Sequence, residues 1–395
     1  MIFTQLQQSL DERVAQGLLR SRRTLTTPQS PHIVVDGKPY LAFCSNDYLG
    51  LANHTQLVSA LQQGAQQWGV GAGAAHLVSG HFEPHHRLEQ QLAAFVGKPA
   101  ALLFSTGYMA NLGVVQALVG RGDTVFADKL NHASLNDAMT LSRAEVKRYR
   151  HGDMEQLAML LEQSTSGRKL IITDAVFSMD GDIAPLREML ALCERYDAWL
   201  YVDDAHGFGV LGEQGRGSLF QAPLPPGEGV GWGNSPRIIY MATLGKAAGV
   251  SGAFVAAEQV VIDTLVNHAN SYVYTTATPP ALSSALLQSL QLIERGDERR
   301  AHLRHLVARL RSGLAELPWT LMESDTAIQP LLIGDNQRAL ELSAALRERG
   351  IWVAAIRPPT VPQGTARLRI TLSATHAEAD VDRLIGALHE LAQES

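Results

Sequence analysis

The chain has 395 residues, of which 46% are hydrophobic and 18% charged, and a formal net charge of −6. This composition is that of a globular protein with one large domain and a smaller one, and it offers no basic excess for nucleic acid or anionic membranes. Two cysteines, Cys44 and Cys193, cannot build a disulfide framework or a four-thiolate metal site, which favours a reducing, cytoplasmic setting. No signal peptide is recognised, and no apolar run approaches the roughly 18 residues that span a membrane.

The first part of the chain predicts helix and short strands. An amphipathic helix is expected over residues 2–23, with Arg20 in a basic last turn that the helix macrodipole favours. Extended segments at 32–35 and 39–43 flank an Asp-Gly turn, which is a hairpin signal. A polar turn then leads into a helix predicted over 55–68.

Glycines at positions 69, 71 and 73 invite a dinucleotide-binding interpretation, because glycines let a backbone approach a pyrophosphate closely. That motif requires a strand before it and a helix directly after it. Here a helix is predicted before it, so nicotinamide binding is disfavoured.

A histidine-rich patch follows at His81, His85 and His86, where a helix is predicted over 84–95. An i, i+4 pair of histidines could bind a metal ion. No carboxylate or thiolate is recognised in the sequence that would complete such a set, so these side chains are interpreted as helix-surface histidines and no metal is predicted.

From about residue 100, short apolar strands alternate with longer helical segments. This order predicts a mostly parallel sheet covered by helices on both faces. Ligands of such sheets bind outside the carboxyl ends of the strands, and the polar candidate residues follow the strands there. The predicted strands are 100–104, 123–127, 169–172, 199–202 and 237–242.

The rest of the chain predicts a loop and a second, smaller domain. The Pro- and Gly-rich segment 221–236 is interpreted as a loop, and a long helical region is expected over 281–317. Strands at 328–333, 352–356 and 366–371 and a helix at 336–349 suggest a compact α+β domain. We therefore expect an N-terminal segment (1–50), a large domain (51–285) and a small C-terminal domain (286–395).

One lysine, Lys246, stands in the Gly-rich turn that follows the strand at 237–242. Small residues surround it, so a flat ligand could approach the backbone closely. This is the setting of a Schiff-base lysine, whose amine must be partly desolvated or placed near positive charge to be nucleophilic. On this stretch alone, a surface-loop lysine is an equally good interpretation.

Other strand ends supply what a lysine-bound pyridoxal phosphate (PLP) would need. The segment Ser105-Thr-Gly107-Tyr108 offers hydroxyls and helix N-terminal N–H groups to a phosphate, and Thr243 offers another hydroxyl. Asp203 could keep the pyridine nitrogen protonated, which makes the ring a strong electron sink.

Three further polar residues could contact the ring of such a cofactor. His206 and Ser178 could bond its oxygen, and His132 could cover its face. Taken singly, Asp203 is better interpreted as a cap or turn residue and His206 as a loop histidine. The combination at successive strand ends favours the cofactor.

Five motifs together resemble those of the α-oxoamine synthases, which are PLP enzymes of fold-type I. The resemblance runs from about Ser45 to His376. It implies an α/β fold-type I transferase, with a mostly parallel sheet sandwiched by helices and a small α+β domain formed by the C-terminal part and the N-terminal segment. The motifs are Ser45-Asn-Asp-Tyr-Leu-Gly50, Asn131-His132-Ala-Ser134, Phe177-Ser178-Met-Asp-Gly181, Val202-Asp203-Asp-Ala-His206 and Thr243-Leu-Gly-Lys246.

The resemblance implies cofactor-binding and catalytic roles. Lys246 would carry the cofactor, and Asp203 would contact the pyridine nitrogen. The remaining ring and phosphate contacts would come from His132, His206, Ser178, Ser105, Gly107, Tyr108 and Thr243, with Thr275 or Thr276 reaching in from the second subunit of a homodimer. Lys246, His132, Asp203 and His206 would form the catalytic set.

Substrate contacts are implied for Asn46, Arg369 and Arg20. Arg369 would hold the amino-acid carboxylate with its bidentate fork, and Arg20 would meet a carboxylate at the far end of the acyl chain. Two departures from the family pattern are the run Ala74-Ala-His76, where more glycine and serine is expected, and the long loop at 221–236.

Within the family, segment 355–371 is most similar to the branch that condenses L-alanine with a pimeloyl thioester, on coenzyme A or a carrier protein, with loss of carbon dioxide in biotin synthesis. The nearest alternatives use glycine with acetyl-CoA, succinyl-CoA or a long-chain acyl-CoA. An aminotransferase would need a keto-acid acceptor. A cofactor-binding regulator would need an added DNA-binding module, for which the chain has no room.

Overall fold

The computed structural model describes residues 2–165, 167–221 and 232–394. Most of the loop predicted at 221–236 therefore lies outside the described residues. The helices are α1 Ile2–Ala15, α2 Thr55–Trp68, α3 Glu83–Phe95, α4 Gly107–Leu118, α5 Ala133–Ser142, α6 Met154–Glu162, α7 Leu186–Tyr196, α8 Gln259–His268, α9 Asn270–Val273, α10 Pro280–Glu294, α11 Asp297–Gly313, α12 Asn336–Glu348 and α13 Glu378–Gln393.

The strands match the predicted ones closely, with β5, β9 and the short β10 added. They are β1 His32–Val35, β2 Lys38–Ala42, β3 Ala100–Phe104, β4 Thr124–Asp128, β5 Glu145–Tyr149, β6 Lys169–Asp174, β7 Trp199–Asp203, β8 Ile238–Thr243, β9 Ala253–Ala257, β10 Thr320–Leu321, β11 Ile328–Gly334, β12 Ile351–Trp352, β13 Ala354–Ile356 and β14 Ala366–Thr371. Within the described segments, no helix is long and apolar enough to cross a membrane.

The chain divides into two compact units. The smaller unit comprises the chain up to Gly50, the short segment Met179–Asp182 and the chain from Ala301 onward. The larger unit comprises Leu51–Ser178 and Ile183–Arg300.

The larger unit is built on a seven-stranded sheet of order β3-β9-β8-β7-β6-β4-β5. Strand β9 runs antiparallel to both of its neighbours, and the pairs among the other strands are parallel. Strands β3, β4, β6, β7, β8 and β9 are mostly apolar and buried, as expected of a sheet that helices cover. The edge strand β5 carries three charged residues and only its last residue is buried. The mostly parallel sheet predicted from the alternating pattern is thus confirmed, and the carboxyl ends of its parallel strands share one edge.

The smaller unit contains two sheets. A four-stranded antiparallel sheet has the order β10-β11-β14-β13, and a three-stranded sheet joins the β1–β2 hairpin to β12. The α+β character predicted for this part of the chain is confirmed, but the single strand predicted at 352–356 is wrong. It splits into two, because Trp352 pairs with β2 whereas Ala354–Ile356 pairs with β14.

Two predicted helices also have different bounds. The first helix ends at Ala15 rather than at residue 23, because Gly17 adopts a left-handed φ of 64° that stops the helix. The helical region at 281–317 is two helices, α10 and α11, separated at Arg295 and Gly296. Arg20 therefore lies in the segment after α1 and not on a helix.

Candidate active site

The turn after β8 holds Lys246 against a histidine. Its Nζ lies 2.8 Å from Nε2 of His206, which follows β7. The Thr243 hydroxyl fastens the two ends of this turn, since it donates to the Gly252 carbonyl at 3.0 Å and accepts from Gly245 N–H at 3.4 Å. The Lys246 amine therefore has a fixed proton-exchange partner at the carboxyl edge of the sheet.

Asp203 ends β7 and is 4% exposed. Its carboxylate accepts from Asn111 Nδ2 at 2.7 Å and from Ala205 N–H at 3.0 Å. The Tyr201 hydroxyl in turn donates to Asn111 Oδ1 at 2.7 Å, which fixes the orientation of the amide. Asn111 was not recognised from the sequence, where it is one polar residue inside an apolar helix.

His132 caps α5 and is tied to a second buried carboxyl group. Its backbone N–H donates to Asp174 Oδ2 at 2.6 Å, and its Nδ1 lies 2.6 Å from the Ser134 hydroxyl. Burial lowers the pKa of His132 and the Lys246 ammonium lowers it further, whereas the Asp203 carboxylate raises it. His132, Asp203 and Lys246 are thus close enough to influence one another electrostatically.

Asp174 lies directly beside Asp203 in the β6–β7 pairing. Complete burial and the neighbouring Asp203 charge raise the pKa of Asp174 well above its usual value. Two carboxyl groups so close cannot both ionise cheaply. Burial and the Asp203 carboxylate therefore both disfavour the charged form of Asp174.

The N-terminus of α4 lies beside Thr243. Thr106 caps this helix by accepting from Met109 N–H at 3.1 Å, and a Cβ atom placed on Gly107 would lie 3.8 Å from Cβ of Thr243. Tyr108 is exposed, and its hydroxyl donates to Asp137. Free N–H groups of a helix N-terminus and nearby hydroxyls are suited to a phosphate.

The other predicted cofactor residues of this unit are half-buried or exposed. Ser105 is half-buried at the end of β3, and Ser178 is half-buried in the turn that follows β6. Thr275 is half-buried and Thr276 exposed, in the segment between α9 and α10. The sequence prediction placed these two threonines in the site of a second subunit.

In the smaller unit, Arg369 lies on β14 and is 6% exposed. Its Nη1 donates to Asn46 Oδ1 at 3.2 Å, and the Tyr48 hydroxyl donates to the same oxygen at 3.2 Å. Two of the three predicted substrate residues are thus brought together.

Arg20, the third predicted substrate residue, donates from Nη2 to the Thr360 hydroxyl at 3.2 Å. Burial lowers the pKa of Arg357, and the positive charge of Arg20 lowers it further. A guanidinium group beside a hydroxyl, with a second positive charge that acts on the same region, is suited to an anion.

The histidine-rich patch differs from its prediction. His81 and His86 are exposed as expected, but His85 is fully buried. His85 Nδ1 accepts from Phe82 N–H at 3.0 Å, and its Nε2 lies 2.8 Å from the Thr278 carbonyl. The sequence interpretation also missed the carboxylate of Glu89, which lies one helical turn further on with His81 and His86.

The donor set of the larger unit fits PLP. A buried carboxylate held by neutral hydrogen-bond donors, as Asp203 is, suits a protonated ring nitrogen. The Lys246 amine suits the aldehyde carbon, and the N-terminus of α4 with Thr243 suits the phosphate.

Comparisons with known proteins identify the family of the chain. The family model "Aminotransferase class I and II" matches residues 38–388. The 8-amino-7-oxononanoate synthase of Nitrosomonas europaea is 61% identical over 99% of this chain and 100% of that protein. That of Herminiimonas arsenicoxydans is also 61% identical, over 94% of this chain and 95% of its own length.

Two solved structures share the fold of this chain. A variant of serine palmitoyltransferase from S. paucimobilis, solved with a bound PLP–myriocin aldimine, superposes with a TM-score of 0.90 at 28% identity over 99% of this chain and 98% of that one. The 8-amino-7-oxononanoate synthase of Francisella tularensis has a TM-score of 0.75 at 29% identity over 90% and 98%. The chain therefore belongs to the class I and II aminotransferase family and, within it, to the 8-amino-7-oxononanoate synthases.

Proposed function

We propose that this protein is a PLP-dependent acyltransferase that condenses L-alanine with a pimeloyl thioester. A new carbon–carbon bond joins the alanine Cα to the thioester carbonyl carbon, and the thiol and carbon dioxide leave, which gives 8-amino-7-oxononanoate for biotin synthesis. The observation that carries the proposal is the Lys246–His206 contact of 2.8 Å beside the buried Asp203. Relatives that match this chain over nearly their full length carry this enzyme name, and they support the substrate class.

Lys246, Asp203, His132, His206 and Ser178 would hold the cofactor ring, and Ser105, Gly107, Tyr108 and Thr243 would hold the phosphate. When bound, the cofactor supplies an electron sink that stabilises negative charge at the alanine Cα. The Lys246 amine takes the Cα proton, and His206 Nε2, at 2.8 Å, holds that amine in position. Asp203 would pair with the ring nitrogen of the cofactor, and Lys246 or His132 returns the proton to the product.

The two substrate carboxylates are assigned to arginines. Arg369, whose side chain is oriented by Asn46, binds the alanine carboxylate and so contributes to the orientation of this substrate. Arg20, with Thr360, binds the distal carboxylate of the pimeloyl chain. A site with this second arginine prefers a dicarboxylic acyl group over acetyl or palmitoyl groups, since neither offers a terminal carboxylate.

We further propose that the protein is a homodimer in which Thr275 or Thr276 contacts the phosphate in the partner's site. The exposed position of Thr276 is compatible with this assignment. The two cysteines of the chain are unpaired, which is compatible with a location in the reducing cytoplasm.

The test is to mix the holoenzyme with L-alanine and pimeloyl-CoA and to follow the release of free thiol, with Lys246→Ala as the control. We expect release that requires both substrates and is lost in the variant. Release only with glycine and acetyl-CoA would keep the enzyme class and overturn the substrates. Conversion of the cofactor to a stable pyridoxamine form by alanine alone would indicate an aminotransferase instead.

A further inference from the structure

A second polar cluster lies in the larger unit, outside the residues assigned to the reaction. His81 precedes α3, and His86 and Glu89 lie three residues apart on that helix, so their side chains project from the same face. One ligand atom from each of the three lies within 4.8 Å of the others. These side chains and His76 line a cavity of about 680 Å³.

His76 orients the first of these side chains. Nδ1 of His81 lies 3.0 Å from Nδ1 of His76, so one ring donates a hydrogen bond to the other. The His76 ring is itself held by stacking on Tyr272, with ring centroids 5.2 Å apart and planes within 9°. When His81 donates from Nδ1, its Nε2 lone pair is free to bind a ligand on the side of Glu89, which is how outer groups orient metal-binding histidines.

Glu89 is a nearly buried carboxylate in the wall of this cavity. Its side chain is 12% exposed, and Oε1 accepts from the Leu103 N–H at 2.9 Å. Oε2 lies 3.9 Å from Nε2 of His81, which is too long for a direct hydrogen bond. An ion with ligand bonds of about 2.0–2.2 Å can bind between two atoms at this separation after a small closing movement.

We propose that His81, His86 and Glu89 form a binding site for a divalent transition-metal ion of the zinc type. Two imidazole nitrogens and one carboxylate oxygen are a ligand set that zinc accepts, and the cavity leaves a further coordination position for water. Because the ligands come from α3 and from the segment just before it, the bound ion fixes the start of that helix. The site does not depend on the proposed acyltransferase reaction.

The test is calorimetric titration of the PLP-loaded enzyme with Zn²⁺, with Mg²⁺ as a second probe. We expect one Zn²⁺ per subunit, little binding of Mg²⁺, which prefers oxygen ligands, and a cofactor absorbance band that does not move. The variants His81→Asn and His86→Asn should each weaken Zn²⁺ binding at least tenfold, and Glu89→Gln should do the same. His268→Asn is the matched control, because His268 is an exposed helical histidine outside the cluster.

Two results would overturn the site. One is the absence of saturable Zn²⁺ binding to the wild-type enzyme. The other is Zn²⁺ binding that His81→Asn and His86→Asn leave at the wild-type affinity, since the ion would then be held elsewhere. His86 is exposed, so its variant should fold. A melting temperature that Zn²⁺ raises in the wild type but not in His86→Asn is an independent readout.

Discussion

At the scale of single residues, the Asp203 carboxylate has two close neighbours, an amide that donates to it and a second buried carboxyl group. Asn111 donates to Asp203 and also to the Ser134 hydroxyl, which is bonded to His132. Asp174 lies directly alongside, and burial and the Asp203 charge raise its pKa well above the usual value. The network thus connects the carboxylate assigned to the ring nitrogen with the histidine assigned to the ring face, through one helical asparagine.

We predict that Asn111→Leu, which keeps the shape of the side chain, lowers kcat/KM about 10- to 100-fold, since a hydrogen bond to a charged group contributes about 1.5–3 kcal/mol. The cofactor absorbance and its dependence on pH should change as well, because Asp203 would no longer be held opposite the ring nitrogen. Gln116→Leu on the same helix is the control. An unchanged absorbance together with wild-type kinetics in Asn111→Leu would remove Asn111 from the site.

At the scale of elements, the turn around Lys246 depends on one glycine. Gly249 has a φ of 71° and donates its N–H to the Lys246 carbonyl at 2.8 Å. A Cβ atom there would lie 2.6 Å from Ala52 N and from Leu51 C, both of which are backbone atoms that cannot move aside. The turn that presents the lysine is therefore tightly packed against the segment before α2.

We predict that Gly249→Ala lowers the free energy of unfolding by about 2–3 kcal/mol or more, from left-handed strain and the backbone clash together. Weaker retention of the cofactor should accompany this loss. Gly71→Ala is the matched control, because a Cβ atom placed on Gly71 would meet no atom of the described residues within 4 Å and its φ is not positive. Equal melting temperatures for the two variants would contradict the packing argument.

The connection between α3 and β3 contains a buried lysine. Lys98 is 5% exposed and donates to the Ser235 carbonyl at 2.8 Å. Burial lowers the pKa of Lys98 to about 8 from 10.5, against the attraction of Glu258. The unfolded chain therefore binds a proton at Lys98 more readily than the folded chain does. The folded state has its full stability above pH 10.5, where Lys98 is neutral in both states, and loses part of it as the pH falls toward 8.

We therefore predict that Lys98→Met changes stability in a pH-dependent way. Between pH 8 and 10.5 the wild type should gain about 3 kcal/mol relative to the variant, measured by chemical denaturation at each pH. The exposed Lys38→Met is the control and should show no such slope. A constant difference between wild type and Lys98→Met across this range would mean that Lys98 stays charged in the fold.

These elements also show what the sequence could and could not predict. Strand β3 was predicted at its observed bounds, because a short apolar run that ends at a polar residue, here Ser105, is typical of a buried strand. Strand β9 was missed, because Ala253–Ala257 follows the lysine turn without a helix between and pairs antiparallel. The candidate site residues that follow strands could be proposed from the sequence, whereas Asn111 could not, since only tertiary packing brings this helical side chain to Asp203. The same holds for Glu89, which packing brings to His81 in the separate histidine cluster.

At the scale of the whole molecule, the proposed active site draws residues from two chains. Asp203, His206 and Lys246 all belong to the larger unit of one chain, and they meet at one edge of its sheet. The threonines at 275 and 276 were assigned from the family resemblance to the partner's site. A dimer of this kind is symmetric, so each chain gives its threonines and receives those of its partner.

We predict that two inactive or weakened variants restore activity when their subunits are exchanged. A mixed dimer contains one Lys246→Ala chain and one chain with both Thr275→Ala and Thr276→Ala. One of its two sites then has the intact lysine of the double-variant chain and the intact threonines of the Lys246→Ala chain. Random pairing of equal amounts would restore about a quarter of wild-type thiol release, because half the dimers are mixed and each has one intact site. The exchange requires mild denaturation and refolding of the mixture. Activity no higher than the sum of the separate variants would place the threonines in the site of their own chain.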